Sequence, residues 1–297
     1  MGIEVDRARH WTIAEIPYHA IDRERARADP YLLYVVAGAS FIEITSDLYT
    51  RNLVEYFAGD RPLERWLAER WDQEEKQHGE SLKRYVETVW PEFDWERAYR
   101  GFYADYAPYC EVGQLGPTRA LELASRCVVE TGTSTFYTAL ARMSPEPVLR
   151  QLAERIKSDE RRHYNLFLHH YGRWATREGT GRLAVLGTLA ARVGELDQED
   201  IYCAVKNVFQ VLHPDLPFTA AVYREINRRY AGIIRAHYPY RTAARMLLRP
   251  LRLSPMLQSV LSPLLAFGGW LFVVGEPAVG LVKERAAGLY GRGLHAS

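Results

Sequence analysis

Apolar residues recur at spacings of three and four through most of the first 172 residues, the period of helices that bury one face. The pattern predicts four strong helices over approximately 31–57, 61–88, 117–142 and 146–172. Asp29-Pro30, Asp60 with Pro62, Gly116-Pro117 and Ser144-Pro145 mark their starts. Each sets a capping residue or a glycine just ahead of a proline, whose missing N–H is harmless in a first turn. No segment alternates with the period of a strand, and no repeat of solenoid length is present.

The connections narrow the architecture. Helices one and two are joined by a few residues, as are helices three and four, and links this short force antiparallel hairpins. Between the hairpins runs a long stretch from about Val89 to Gly116, rich in aromatics: Trp90, Phe93, Trp95, Tyr99, Phe102, Tyr103, Tyr106 and Tyr109. Two hairpins and one long crossover predict an all-α, ferritin-like four-helix bundle. Weaker helical patterns follow near 182–194, 197–211 and 218–238. After them comes an uncharged segment, Leu253 to Gly275, broken by Pro255 and Pro263. The reading is a single domain over 1–297, with a core at 31–172 and accessory helices over 173–297 packed on it.

Charge and cysteine content adjust this picture in three places. A formal net charge of +1 gives no electrostatic case for nucleic acid as a partner. Cys110, Cys127 and Cys203 lack CxxC spacing, which excludes a disulfide framework and points to a reducing cytoplasm. The opening MGIEVDRARHW has no apolar core of signal-peptide type, so secretion is not expected. Local charge is uneven: Arg224, Arg228, Arg229, Arg235, Arg241, Arg245, Arg249 and Arg252 share their stretch with one acid, Glu225. Such a surface would attract an acidic carrier protein or an acidic ferredoxin, and would equally suit an anionic membrane. The uncharged segment beside it approaches the length of a span. Its prolines and Gly268-Gly269 fit packing on the bundle or lying at a membrane interface better than crossing one.

Candidate chemistry lies in the four strong helices. WDQEEKQHGE sets Glu75 and His78 three residues apart, and SDERRHYN repeats that spacing with Glu160 and His163. Residues three apart share a helix face, so each pair presents a carboxylate and an imidazole to one point. Helices one and three each add one acid in an apolar setting. Glu43 is the only charge between Tyr31 and Ser46, and Glu130 the only one between Cys127 and Ala141. A lone carboxylate is costly to bury without a partner. A metal pair is one such partner; a buried arginine or protonation of the acid is another. Four carboxylates and two imidazoles suit iron, with manganese also compatible, and two divalent ions would balance four carboxylates.

These segments resemble the metal-binding helices of the soluble acyl-acyl-carrier-protein desaturases. Trp71, Glu74, Glu75, His78 and Gly79 match that family's first motif, and Asp159, Glu160, Arg162 and His163 its second. The resemblance covers residues 31–172 and implies two iron ions held by Glu43, Glu75, His78, Glu130, Glu160 and His163. It also implies a threonine beside the oxygen-binding face, which Thr133 supplies, and an electron route to iron through Trp71, Asp159 and His78. A helix-borne threonine can equally bond back to its own helix, and Trp71 reads as readily as a core aromatic. Ile156 stands where the p-aminobenzoate oxygenase type of diiron N-oxygenase has an extra histidine, which separates the chain from that group. The chain is shorter than the plant desaturases, so substrate and outcome follow less directly than the metal site.

The expected function is O2-dependent oxidation of an aliphatic acyl chain carried on acyl carrier protein, with desaturation as the outcome. The other readings are a diiron hydroxylase or oxygenase of a different small molecule and a ferroxidase of ferritin type. No GxGxxG motif is present, so a separate ferredoxin-like donor is expected to supply electrons. A cytoplasmic homodimer is expected, with peripheral membrane contact through 224–275 as the further option.

Overall fold

The computed structural model describes residues 10–110, 115–195 and 199–275; residues 1–9, most of the opening segment read above, and 276–297 lie outside them. The described chain is all-helical, with no strand among the described residues. Short α1 (Arg23–Arg27) precedes α2 (Leu32–Ile44) and α3 (Ser46–Tyr56), which together occupy the first predicted helix. The break falls at Thr45, whose hydroxyl bonds back to Phe41 O at 2.7 Å, a local alternative to the straight helix ladder. The second predicted helix comprises α4 (Arg61–Trp66), a π-helical turn over Leu67–Trp71, and α5 (Asp72–Val89). Antiparallel α2 and α5 pack closely at Gly79. A Cβ there would lie 2.4 Å from Ile44 Cγ1 and 2.7 Å from Ile44 N.

The aromatic crossover contains a helix of its own, α6 (Trp95–Tyr106), whose start is capped by Asp94 through Arg97 N. Then come α7 (Arg119–Met143) and α8 (Pro147–Glu178), the second antiparallel hairpin. Their caps correct the sequence reading. Thr118, not Gly116, caps α7, and Glu146, not Ser144, caps α8, with Pro147 in its first turn. The Glu146 carboxylate accepts from Val148 N and Leu149 N and also from the Tyr85 hydroxyl at 3.1 Å, so it joins the two hairpins. The α8 helix runs six residues past the predicted end and stops at Gly179, in the left-handed conformation glycine favours (φ 64°).

The remaining helices are α9 (Arg182–Glu195), α10 (Glu199–Leu212), α11 (Ala220–His237), α12 (Tyr240–Leu248) and α13 (Pro255–Gly275). They pack on the core from two sides. The α10 helix lies against α2 and α6, and α12 lies against α7 through Ser134 and Met246. Tyr164 on α8 donates to Met246 O at 2.6 Å and Tyr171 to Pro250 O at 2.8 Å, fixing the chain around α12.

The core is divided into two apolar clusters. One gathers Phe41, Leu82, Tyr137 and Ile156; the other gathers Leu53, Trp71, Val128 and Tyr164. On each of the four long helical segments the residue path crosses from one cluster to the other at an acid or a Glu-x-x-His pair. The polar cluster is therefore sandwiched between two dry layers, in the middle of the protein.

Candidate metal centre

Glu43, Glu75, His78, Glu130, Glu160 and His163 are all buried and come together at this crossing. One donor atom from each of Glu43, Glu75, His78 and Glu160 lies within 4.8 Å of the other three, and Glu75, Glu130, Glu160 and His163 form a second such group. Glu75 and Glu160 belong to both groups. His78 Nδ1 is 3.1 Å from Glu160 Oε1 and 3.8 Å from Glu43 Oε2. His163 Nδ1 is 3.0 Å from Glu75 Oε1 and 3.7 Å from Glu130 Oε2. The arrangement is nearly two-fold: each hairpin supplies one lone glutamate, one shared glutamate and one imidazole.

The outer nitrogens are tied down by carboxylates. His78 Nε2 bonds Asp159 at 3.0 Å, and His163 Nε2 bonds Glu74 at 2.8 Å. Arg162 reaches both acids, bonding Glu74 Oε1 at 3.1 Å and Asp159 at close range. Asp159 is held down to about 2 despite its burial, because the His78 hydrogen bond and charge favour the carboxylate. Glu74 is likewise lowered against the penalty of burial, by His163 first and then Arg162. These acids fix the Nε2–H tautomers and aim Nδ1 inward, the usual way a protein orients ligating histidines.

Inside the cluster, four buried atoms have no hydrogen-bond partner: His78 Nδ1, His163 Nδ1, Glu130 Oε2 and Glu160 Oε1. Buried polar atoms are almost always satisfied, so four orphans at one place call for a ligand. Burial pushes Glu43 well above the ordinary carboxyl range, and the charge on Glu75 adds to it. Glu130 is raised in the same way, by burial and then by Glu160. Both imidazoles are raised: burial opposes their charge, but the outer carboxylates, Asp159 on His78 and Glu74 on His163, and the nearby negative charge outweigh it. The crowded acids and imidazoles therefore hold protons that a bound cation would displace. The donor set of carboxylate oxygens and imidazole nitrogens fits one or two hard to borderline metal ions.

Thr133 donates to Glu160 Oε2 at 2.6 Å and also approaches its own helix at Glu130 O, so it touches the cluster directly. Asp159 lies on His78. Trp71 lies in the apolar core: its indole nitrogen has no partner, and its ring is edge-on to His163 and Phe167. The tryptophan on Asp159 is Trp11, whose Nε1 donates at 2.7 Å and whose ring stacks parallel to His78 at 6.1 Å. Its 148-residue separation from Asp159 leaves no local trace in the sequence. Tyr137 was also unanticipated. It lies seven residues, two turns, after Glu130 and donates to Glu43 Oε1 at 2.5 Å. The π-helical turn ends at Trp71, one turn before Glu75, a position where such bulges often adjust a functional side chain.

Comparison with protein families finds no matching family model, and comparison with curated proteins finds no match.

Proposed function

We propose that the protein is a ferritin-like diiron oxidoreductase that uses O2 to oxidise an aliphatic acyl chain, carried on acyl carrier protein, with desaturation as the outcome. The observation that carries the metal reading is the pair of inward, partnerless Nδ1 atoms, each backed by a carboxylate on Nε2. The acyl substrate is carried by the motif resemblance around Glu74–Gly79 and Asp159–His163. Glu43 and His78 would hold one iron, Glu130 and His163 the other, with Glu75 and Glu160 between them. When bound, the irons supply the capacity to reduce O2 with two electrons from a separate donor.

The residues divide the remaining work. Glu43, Glu75, Glu130 and Glu160 supply four negative charges to balance two divalent ions. Asp159 and Glu74 keep the two imidazoles in one tautomer and one orientation. Thr133 holds its hydroxyl oxygen 2.6 Å from Glu160 Oε2, to which it donates, and is placed to pass a proton at the centre. The dry layers on both sides exclude bulk water from the cluster. Trp11, through Asp159 and His78, gives a hydrogen-bonded connection to the centre for incoming electrons. Desaturation balances as one CH2–CH2 unit, O2, two electrons and two protons giving CH=CH and two waters.

The test is single-turnover oxidation of acyl carrier protein loaded with saturated chains, using iron-loaded, chemically reduced enzyme and mass spectrometry. A product lighter by two hydrogens supports the proposal. A product heavier by one oxygen assigns hydroxylation instead. Unchanged chains alongside rapid O2 consumption and ferric iron release would favour the ferroxidase reading.

A further inference from the structure

The α13 helix is turned inside out relative to an ordinary surface helix. Over residues 255–270 its seam toward the protein consists of Gln258, Ser262, Ala266 and Gly269, spaced four, four and three apart, all small or polar. Ser262 is 6% exposed, and its hydroxyl bonds within the helix to Gln258 O. The large apolar side chains point away: Met256 is 73% exposed, Leu264 62% and Phe267 59%, with Leu257, Val260, Leu261, Leu265 and Trp270 also outward. A soluble helix normally buries its apolar stripe and exposes its polar one. An exposed apolar surface of this extent marks an interaction site.

Charge says what covers it. From residue 226 to 275 the chain has no Asp or Glu but contains seven arginines. Arg241 and Arg245 are exposed on α12 and line the groove it makes with α13, opposite Gln258, Ser259 and Pro263. Arg249 and Arg252 are exposed in the turn that leads into α13, over the rings of Tyr164 and Tyr171. At that same end Arg182 donates to Arg252 O, bringing in the start of α9, where Leu183 is 84% exposed. The result is an apolar ridge with a cationic rim.

We propose that this ridge docks the protein on an anionic lipid surface, with α13 lying in the headgroup region and the arginines on lipid phosphates. A protein partner would cover one stripe of a helix, about 100° wide. Here, over residues 255–270, everything outside a four-residue seam is exposed and mostly apolar, which a fluid acyl environment matches and a groove does not. With no charge from Leu253 to Gly275, the helix also carries none of the flanking charges that select a partner helix. Crossing the bilayer is disfavoured by Pro263 within the helix and by the polar seam on the protein side. The one described stretch long and apolar enough to span, Leu32–Tyr56 across α2 and α3, is mostly buried and carries Glu43. The inference does not rest on the metal chemistry.

The test uses the full chain with vesicles of phosphatidylcholine alone and with about one-third phosphatidylglycerol, read by co-sedimentation. The protein is expected to pellet with the anionic vesicles and to release as salt rises. Arg241→Glu with Arg245→Glu should lower partitioning at least about thirtyfold. Leu264→Ser with Phe267→Ser should abolish it, with an unchanged unfolding curve because both side chains are exposed in the folded protein. Absence of pelleting with anionic vesicles overturns the proposal. In that event a dimer lost on Phe267→Ser assigns the ridge to a second copy, and saturable binding of an acidic carrier protein abolished by the arginine reversals assigns it to that carrier. Iron content measured on the same variants separates a failure here from a failure of the diiron reading.

Discussion

Removing metal should make this protein less stable as pH rises through neutrality, and Glu130→Gln should relieve part of that loss. Glu43 and Glu130 are raised by burial and then by the charges of Glu75 and Glu160. In the unfolded chain the same carboxyls titrate near the ordinary 4.5. Above that value the unfolded chain gives up protons that the folded protein still holds. The stabilisation is fully present below about pH 4.5 and is lost as pH rises towards the folded values. His78 and His163, also raised, act in the same sense above their ordinary 6.5. Glu75 and Asp159, both lowered, contribute stability that is lost only as pH falls through the acid range, so they add no slope near neutrality. Each proton retained in the folded state costs about 1.4 kcal/mol per pH unit, or about 3 kcal/mol between pH 5 and 7. Urea unfolding of chelator-treated protein, followed by circular dichroism across that range, reads the slope. Glu130→Gln should flatten it by up to about 1.4 kcal/mol per pH unit. Iron-loaded wild type should show the opposite trend, because metal binds the deprotonated ligands. Metal-free stability that rises with pH, or parallel slopes for wild type and Glu130→Gln, would refute the reasoning.

Further substitutions probe the surroundings of the cluster and the helices that carry it. Asp159→Asn and Glu74→Gln, acting on opposite imidazoles, should each lower iron affinity by about 10–100-fold in chelator competition; an effect from one alone would break the two-fold account. Gly79→Ala forces a Cβ onto Ile44 backbone and should destabilise the protein by about 1–3 kcal/mol in urea, by spreading α2 from α5. Glu146→Ala removes the cap of α8 and the acceptor of buried Tyr85, and should cost about 2–4 kcal/mol against about 1 for Thr118→Ala at α7; equal costs would show that Glu146 is only a cap.

The parts of this structure that sequence made legible are those with a local physical signature. Glu43 and Glu130 stood out because an isolated carboxylate in an apolar helix needs a partner, and the two Glu-x-x-His pairs because a three-residue spacing fixes a shared face. The all-helical character followed from periodicity and the hairpins from loop length. What stayed hidden depends on distant neighbours. Trp11 and Asp159 are joined only by folding, and no local spacing in the sequence points from one to the other. The Glu146 cap was masked by Pro145, which sets the expected cap at Ser144, two residues too early. The break at Thr45 required knowing that its hydroxyl turns back on Phe41, and α6 was obscured by aromatics whose packing partners lie on α2 and α10. On α13 the apolar count was plain in the sequence, but its outward direction emerges only once Ser262 and Gln258 are seen to face the protein.

The central claim is that six buried side chains hold two iron ions. Anaerobic loading of the full chain with ferrous iron, removal of excess metal and elemental analysis against protein concentration test it most directly. The account predicts two irons per chain, falling when Glu75 or Glu160 is replaced by alanine; zero or one iron in the unmodified protein would contradict it.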